Sequence, residues 1–226
     1  AGLNMNSVDF AFGGFFSIGT LSYAWAKLYR KSFLDSNKIE FGDYRYAEDK
    51  IYNYFCYIAG ARYAFIDKKI YVYRRNEQSV SNTYRKDGDK DWMRIAQDLQ
   101  DKIDSLNYEK KQYSQDEIEN YESIVAWTIY FAAFFDGKME YEYSTGKIRT
   151  VINLLKRYAS YDLTKKYLKN PLRYTKKIPA LSYKIMLGGF AFLMKCNMYL
   201  LLSLGIKLLV DCHIDERLSD TGRKED

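Results

Sequence analysis

Glu48 and Asp49 form a carboxylate pair inside the otherwise aromatic and apolar run YAEDKIYNYF. A side chain that takes a proton from an attacking hydroxyl must be ionised at neutral pH, as a free carboxyl is. Asp49 is therefore a candidate general base. Downstream, Arg74-Arg75 closes a β-rich run, YVYRR. Guanidinium groups grip phosphate oxygens bidentately and keep their charge, so this pair suits an anionic leaving group. Residue chemistry alone leaves two plainer readings open. One is an acidic pair that does ordinary work at the positive end of a helix dipole; the other is two surface arginines at a strand end.

The elements that must position these residues follow from periodicity. Apolar or aromatic residues at 21, 25, 28, 29 and 33 predict an amphipathic helix over Leu21–Phe33. Ile39 and Phe41 follow as small anchors. Ile51, Tyr54, Phe55 and Ile58 predict a second helix over Ala47–Ala59, whose first turn holds Glu48 and Asp49. Neighbouring residues on a helix point about 100° apart, so only one of the two faces a given site squarely. Arg62–Asp67 and Ile70–Arg74, separated by Lys68-Lys69, predict a short β-hairpin.

Between Tyr23 and Thr83 the chain resembles the acceptor-side half of the family 2 glycosyltransferases. The resemblance rests on Trp25, Lys27, Leu28, Tyr29 and Arg30, then Glu48-Asp49, then Tyr71, Tyr73, Arg74 and Ser79, in that order and spacing. It implies Asp49 as the catalytic base of an inverting sugar transfer, with Glu48 supporting the acceptor side. Trp25 and Lys27 would line or brace the acceptor cleft, and Arg74, Arg75 and Ser79 would face the donor diphosphate. The fold it implies is α+β and mostly α: a remnant of an A-type glycosyltransferase fold, helices plus a short hairpin, followed by a helical C-terminal region. The family's nucleotide-binding half, with its Asp-x-Asp metal motif, has no counterpart here. Asp87-Gly-Asp89-Lys-Asp91 follows the polar YRK and opens a helix, so it reads as a helix-start acidic cluster. The chain by itself is expected to be inactive and to bind no metal. Mn or Mg belongs with the donor-binding half, and the nucleotide-sugar donor and a glycan or lipid-linked acceptor are partners of the full-length enzyme.

Composition bounds the rest. With 226 residues, 47% hydrophobic and 17% aromatic, the chain can bury a real core. Cys56, Cys196 and Cys212 are scattered without a CxxC, and His213 has no ligand spacing around it, so neither type is expected to bind metal or catalyse. Helical spacing from Trp92 to Leu106 predicts a helix over 90–107. Ser114-Gln-Asp-Glu117 is a capping box opening another, which is apolar nearly all round from Ile124 to Phe135. Three regions are expected: 1–86, the acceptor-side part; 87–146, a helical layer; and 147–226, a basic apolar helical region.

The net charge of +6 is unevenly spread. Residues 147–210 carry 13 basic side chains and one acidic, a balance of +12, whereas residues 1–146 carry 19 basic and 22 acidic. Such a segment should meet something anionic. Its apolar runs Ile185–Met194 and Cys196–Ile206 are 10 and 11 residues, short of the roughly 20 that span a bilayer. If residues 177–195 formed one helix, Lys177, Lys184 and Lys195 would align beside a broad apolar face, and Lys176 would add charge upstream. Lysines snorkel to headgroups while such a face sinks into the bilayer boundary. Pro179 would open that helix and Gly188-Gly189 would bend or split it. An anionic membrane surface at the cytoplasmic leaflet is the expected partner, with a helical hairpin packed on the preceding layer as the plainer alternative. A homo-oligomer is compatible with either. No RNP-like or helix-turn-helix signature supports nucleic-acid binding. A non-catalytic membrane-surface or self-association module is the alternative function.

Overall fold

A computed structural model describes residues 10–11, 22–45, 47–68, 70–72, 84–108, 113–145 and 147–212. The described helices are α1 (Lys31–Ser36), α2 (Glu48–Ile58), α3 (Gly88–Tyr108), α4 (Gln115–Tyr143), α5 (Ile148–Ser160), α6 (Asp162–Leu168), α7 (Pro171–Thr175), α8 (Leu181–Lys195) and α9 (Tyr199–Asp211). The chain divides into two compact units. The first comprises Ala1–Thr83 with Gln97–Glu122, the second Tyr84–Ala96 with Ser123–Asp226.

No described residue lies in a strand, which overturns the α+β expectation and its hairpin. The reason is burial. Phe65, Ile66, Ile70 and Tyr71 are at least half exposed and Val72 almost wholly so, so beyond single ring contacts these positions form no continuous buried face for a sheet. A two-stranded hairpin without such a face is marginal in water. The helix expected over Leu21–Phe33 also gives way. Residues 23–30 are bends and irregular chain, Ala26 is left-handed at φ 56°, and helix begins only at Lys31. Leu28 is fully exposed, while Tyr29 turns to α2, its ring set edge-on to Tyr52. The aromatic residues of this segment serve ring contacts rather than a helical stripe.

In the first unit, Ile39, Tyr52 and Cys56 form a small core covered by Tyr29, Phe33, Leu34 and Phe55. Phe41 stacks flat on Tyr52, with ring centres 4.0 Å apart. Burial pushes the Cys56 thiol up to about 11, so it packs as a small hydrophobe rather than as a reactive thiolate. Helix α2 stops where Gly60, at φ 81°, lets the chain turn back. The Gly60 N–H donates to the Tyr57 carbonyl (2.9 Å) and that of Ala61 to Cys56 (3.0 Å).

The second unit is a helical layer centred on α4, where every residue from Ser123 to Tyr130 is buried. Apolar residues on all sides of a helix require neighbours on all sides, and side chains of α6, α7, α8 and α9 supply them here. The Trp127 indole donates to the Tyr174 carbonyl (3.1 Å), and the Tyr130 hydroxyl donates to the Tyr167 carbonyl (3.0 Å). At Gly137 a Cβ would stand 2.9 Å from the Ile206 methyl, so α4 admits α9 only by lacking a side chain there. A polar seam joins the start of α3 to α4 and α5. Arg157 forks onto buried Asp89 (3.1 and 3.2 Å), Tyr161 donates to Asp89 (3.1 Å), and Tyr158 donates to Asp136 (2.6 Å). The acidic run at Asp87–Asp91 thus opens a helix and anchors it.

Candidate functional site

Two places merit description, one in each unit. The first surrounds the N-terminus of α2. Its preceding residue, Ala47, is left-handed at φ 56° and offers no side-chain cap, so the first turn presents Glu48 and Asp49 directly to the positive end of the dipole. Glu48 is exposed and Asp49 half-buried, as their divergence around the helix requires. Asp49 is held in register through its own backbone. The buried Asn53 amide donates to the Asp49 carbonyl (2.7 Å), and the Tyr29 hydroxyl donates to Asn53 Oδ1 (2.9 Å). That relay ties the irregular segment 23–30 to the turn that carries the carboxylates.

Lys27 lies on this segment, its ammonium donating to the Tyr23 carbonyl. Burial lowers its pKa, and the Asp49 charge works the other way. Trp25 is sandwiched between Tyr23 (4.9 Å between ring centres, 22° between planes) and Tyr71 (4.7 Å, 19°). Trp25 thus joins two nearly parallel ring contacts, and the half-exposed Tyr23 and Tyr71 are what a ligand would meet. Left-handed alanines flank the site on both sides, Ala26 between Trp25 and Lys27 and Ala47 before Glu48. A non-glycine residue in that conformation costs about 1 kcal/mol or more and tends to persist where something else fixes it.

The structure therefore gathers Trp25, Lys27, Glu48 and Asp49 within the first unit. Arg74, Arg75 and Ser79 lie outside the described residues. Sequence reasoning missed two contributors, Tyr29 and Asn53, which supply the relay. No local signal marks it, because it depends on Ala26 turning the chain. One residue beyond Asp49, burial lowers the pKa of Lys50 to about 8. Among the described residues, no three His, Cys, Asp or Glu side chains converge to hold a metal ion.

The second place is the hairpin of α8 and α9. Helix α8 runs unsplit through Gly188-Gly189. Gly188 is a packing position, since a Cβ on it would stand 3.2 Å from Thr175 Oγ1 of the α7 helix. Asn197, left-handed at φ 57°, closes α8, and Met198 N–H donates to the Leu193 carbonyl (2.9 Å). The one-helix condition for the lysine stripe is not met. Lys176 and Lys177 occupy the turn after α7, and α8 begins only at Leu181, with Pro179 outside it. Lys184 and Lys195 do share a flank of α8, being three turns apart. Lys195 donates to the Lys169 carbonyl (2.8 Å).

What the hairpin exposes is mostly apolar. Leu181, Ile185, Phe192, Leu200, Leu201, Leu204 and Leu208 are each about half exposed or more. Between the helices runs an open groove of about 520 Å³ floored by Phe134 and lined only by apolar residues, among them Met186, Phe190, Leu193, Leu204 and Leu208. No described helix is long and apolar enough to cross a membrane. Compared with protein-family models, with curated proteins and with solved structures, the chain matches none of them.

Proposed function

We propose that this chain is the acceptor-binding and membrane-associating portion of an inverting nucleotide-sugar glycosyltransferase of family 2, serving surface polysaccharide or glycolipid assembly at the cytoplasmic face of a membrane. The observation that carries the reading is the α2 N-terminus. There a half-buried carboxylate stands within electrostatic reach of Lys27 on the segment that holds the aromatic stack. In this reading Asp49 takes the proton from the acceptor hydroxyl as its oxygen attacks the anomeric carbon, and the nucleotide diphosphate leaves with the bonding electrons. The exposed Glu48 receives acceptor hydroxyls, and the outer faces of Tyr23 and Tyr71 receive the sugar ring. Arg74, Arg75 and Ser79 are assigned to the diphosphate by the family resemblance. The divalent ion would be held by the nucleotide-binding half, so no step here is routed through it.

The test is Asp49→Asn in the protein joined to its donor-binding half. A general base contributes roughly 10²–10⁴-fold, so transfer should fall by at least that much with the circular dichroism unchanged. Retained turnover would refute the assignment. The attachment role is tested on the chain itself, by co-sedimentation with phosphatidylglycerol vesicles. Leu204→Glu with Leu208→Glu, both at exposed positions, should abolish binding, and binding that survives would remove the hairpin from the role. A non-catalytic membrane-surface module is the second reading, favoured by the fact that the apolar hairpin lies wholly in the second unit. It would stand if vesicle binding survived while Asp49→Asn left activity untouched.

A further inference from the structure

We infer that the groove between α8 and α9 is a binding site for a single hydrocarbon chain of an anionic membrane lipid, which enters it from the leaflet on which the hairpin lies. This deepens the attachment reading and rests on it, but it makes a separate claim: the hairpin captures a lipid chain rather than only resting on the surface.

Phe134, Met186, Leu193, Leu201, Leu204 and Leu208 present only carbon and sulfur to the groove. A sugar or an extended peptide placed there would forfeit hydrogen bonds that it makes in water, at a cost of at least about 1 kcal/mol for each group. A hydrocarbon chain forfeits none and gains from every methylene removed from water, about 0.8 kcal/mol each. The volume of about 520 Å³ lies within the range of ligand pockets, and the groove is open along its length, as a tethered chain requires.

Lining residues run from Met186 to Leu193 on α8 and from Leu201 to Leu209 on α9. Each stretch is about 12 Å of helix, comparable with the roughly 15 Å of hydrocarbon in one leaflet. The groove therefore suits part of one chain from one leaflet.

Residues 147–210 carry a balance of +12, and Lys184 and Lys195 lie on the α8 flank away from the groove, where the helical wheel turns them about 140° from its lining. Exposed Leu181, Ile185 and Phe192 occupy the solvent-facing arc between them, the wider way round the helix. With that arc sunk in the headgroup boundary, the lysines reach back to the anionic headgroups of the lipid whose chain the groove holds. A second copy of this chain would bring the same +12 to the interface, which makes it the poorer occupant.

The glycine in the groove supplies the test. Gly205 is exposed, and a Cβ built on it meets nothing within 4 Å, so Gly205→Leu fills the groove without disturbing the fold and adds apolar surface to the hairpin. The probe is phosphatidylglycerol carrying a nitroxide near the end of one acyl chain, presented in small bicelles and read by methyl NMR of the full-length chain. In the parent, the Met186 methyl in the groove should broaden strongly, along with that of exposed Met198. In Gly205→Leu, Met186 should lose its broadening, while Met198 and co-sedimentation with phosphatidylglycerol vesicles stay as they were. If Met186 broadens equally in both proteins, the hairpin lies on the surface with no chain in the groove and the inference falls, although attachment stands. If neither protein binds vesicles, attachment and groove fall together. A concentration-dependent dimer that Gly205→Leu dissociates would give the groove to a second copy and overturn the inference.

Discussion

Asp136 offers the sharpest test of the second unit's interior. Its carboxyl is half-buried on α4 and receives the Tyr158 hydroxyl at 2.6 Å, and burial raises its pKa from the ordinary 3.8 to about 7. The negative charges of Asp89 and Asp91 push in the same direction, whereas the Tyr158 hydrogen bond and Arg157 oppose it. The folded chain thus holds this proton more tightly than the unfolded one does. The resulting stability is complete below pH 3.8 and is lost as the pH rises through about 7. At about 1.4 kcal/mol per pH unit, the whole displacement sets a ceiling near 4 kcal/mol. The residue is only partly withdrawn from water, so about 2 kcal/mol is expected between pH 5 and pH 8. Asp136→Asn keeps the shape and still accepts from Tyr158, but it cannot ionise. Its urea-unfolding free energy should therefore lose about 2 kcal/mol less than the parent's between those pH values, and the variant should be the more stable protein at pH 8. Every other titrating group is common to both proteins and cancels in the comparison. Pooled with thermal melting, the difference is about 4–8 °C in Tm for a chain of this size. Parallel pH profiles, within about 0.5 kcal/mol, would mean that Asp136 is ionised at little cost and that the burial argument is wrong.

Gly188→Val should lower stability by about 1–3 kcal/mol, because its branches must displace Thr175 and push α8 off α7. Thermal melting reads it, and a neutral result would mean that the helices slide apart freely. Arg157→Gln should cost about 3 kcal/mol, since it strands the buried Asp89 carboxylate with only the Tyr161 hydroxyl. Adding Asp89→Asn should return part of that loss in a double-mutant cycle, and strict additivity would show that the two side chains are not coupled.

Periodicity and chemistry decided much of this protein before any coordinates. The Trp92–Leu106 spacing, the Ser114–Glu117 capping box and the all-round apolar run from Ile124 specify α3 and α4, because a long helix's buried face repeats in its own sequence. The carboxylates at the start of α2 were legible for the same reason, since a helix's first turn is a local property. Segments whose residues choose among distant partners were not legible. Trp25 and Tyr29 carry helical spacing, yet the gain from ring stacking and the Asn53 relay exceeds that of one more short helix, and Ala26 turns left-handed to allow it. Residues 62–72 have the composition of strands but no face to cover, and pairing needs a surface that local sequence does not supply. The lysine stripe dissolved because the chain turns between α7 and α8, where Gly188 brings the two helices into contact. Local sequence fixes what a segment can be, whereas burial against distant residues selects among those forms, and at the aromatic stack and the α8–α9 groove that selection belongs to the tertiary structure.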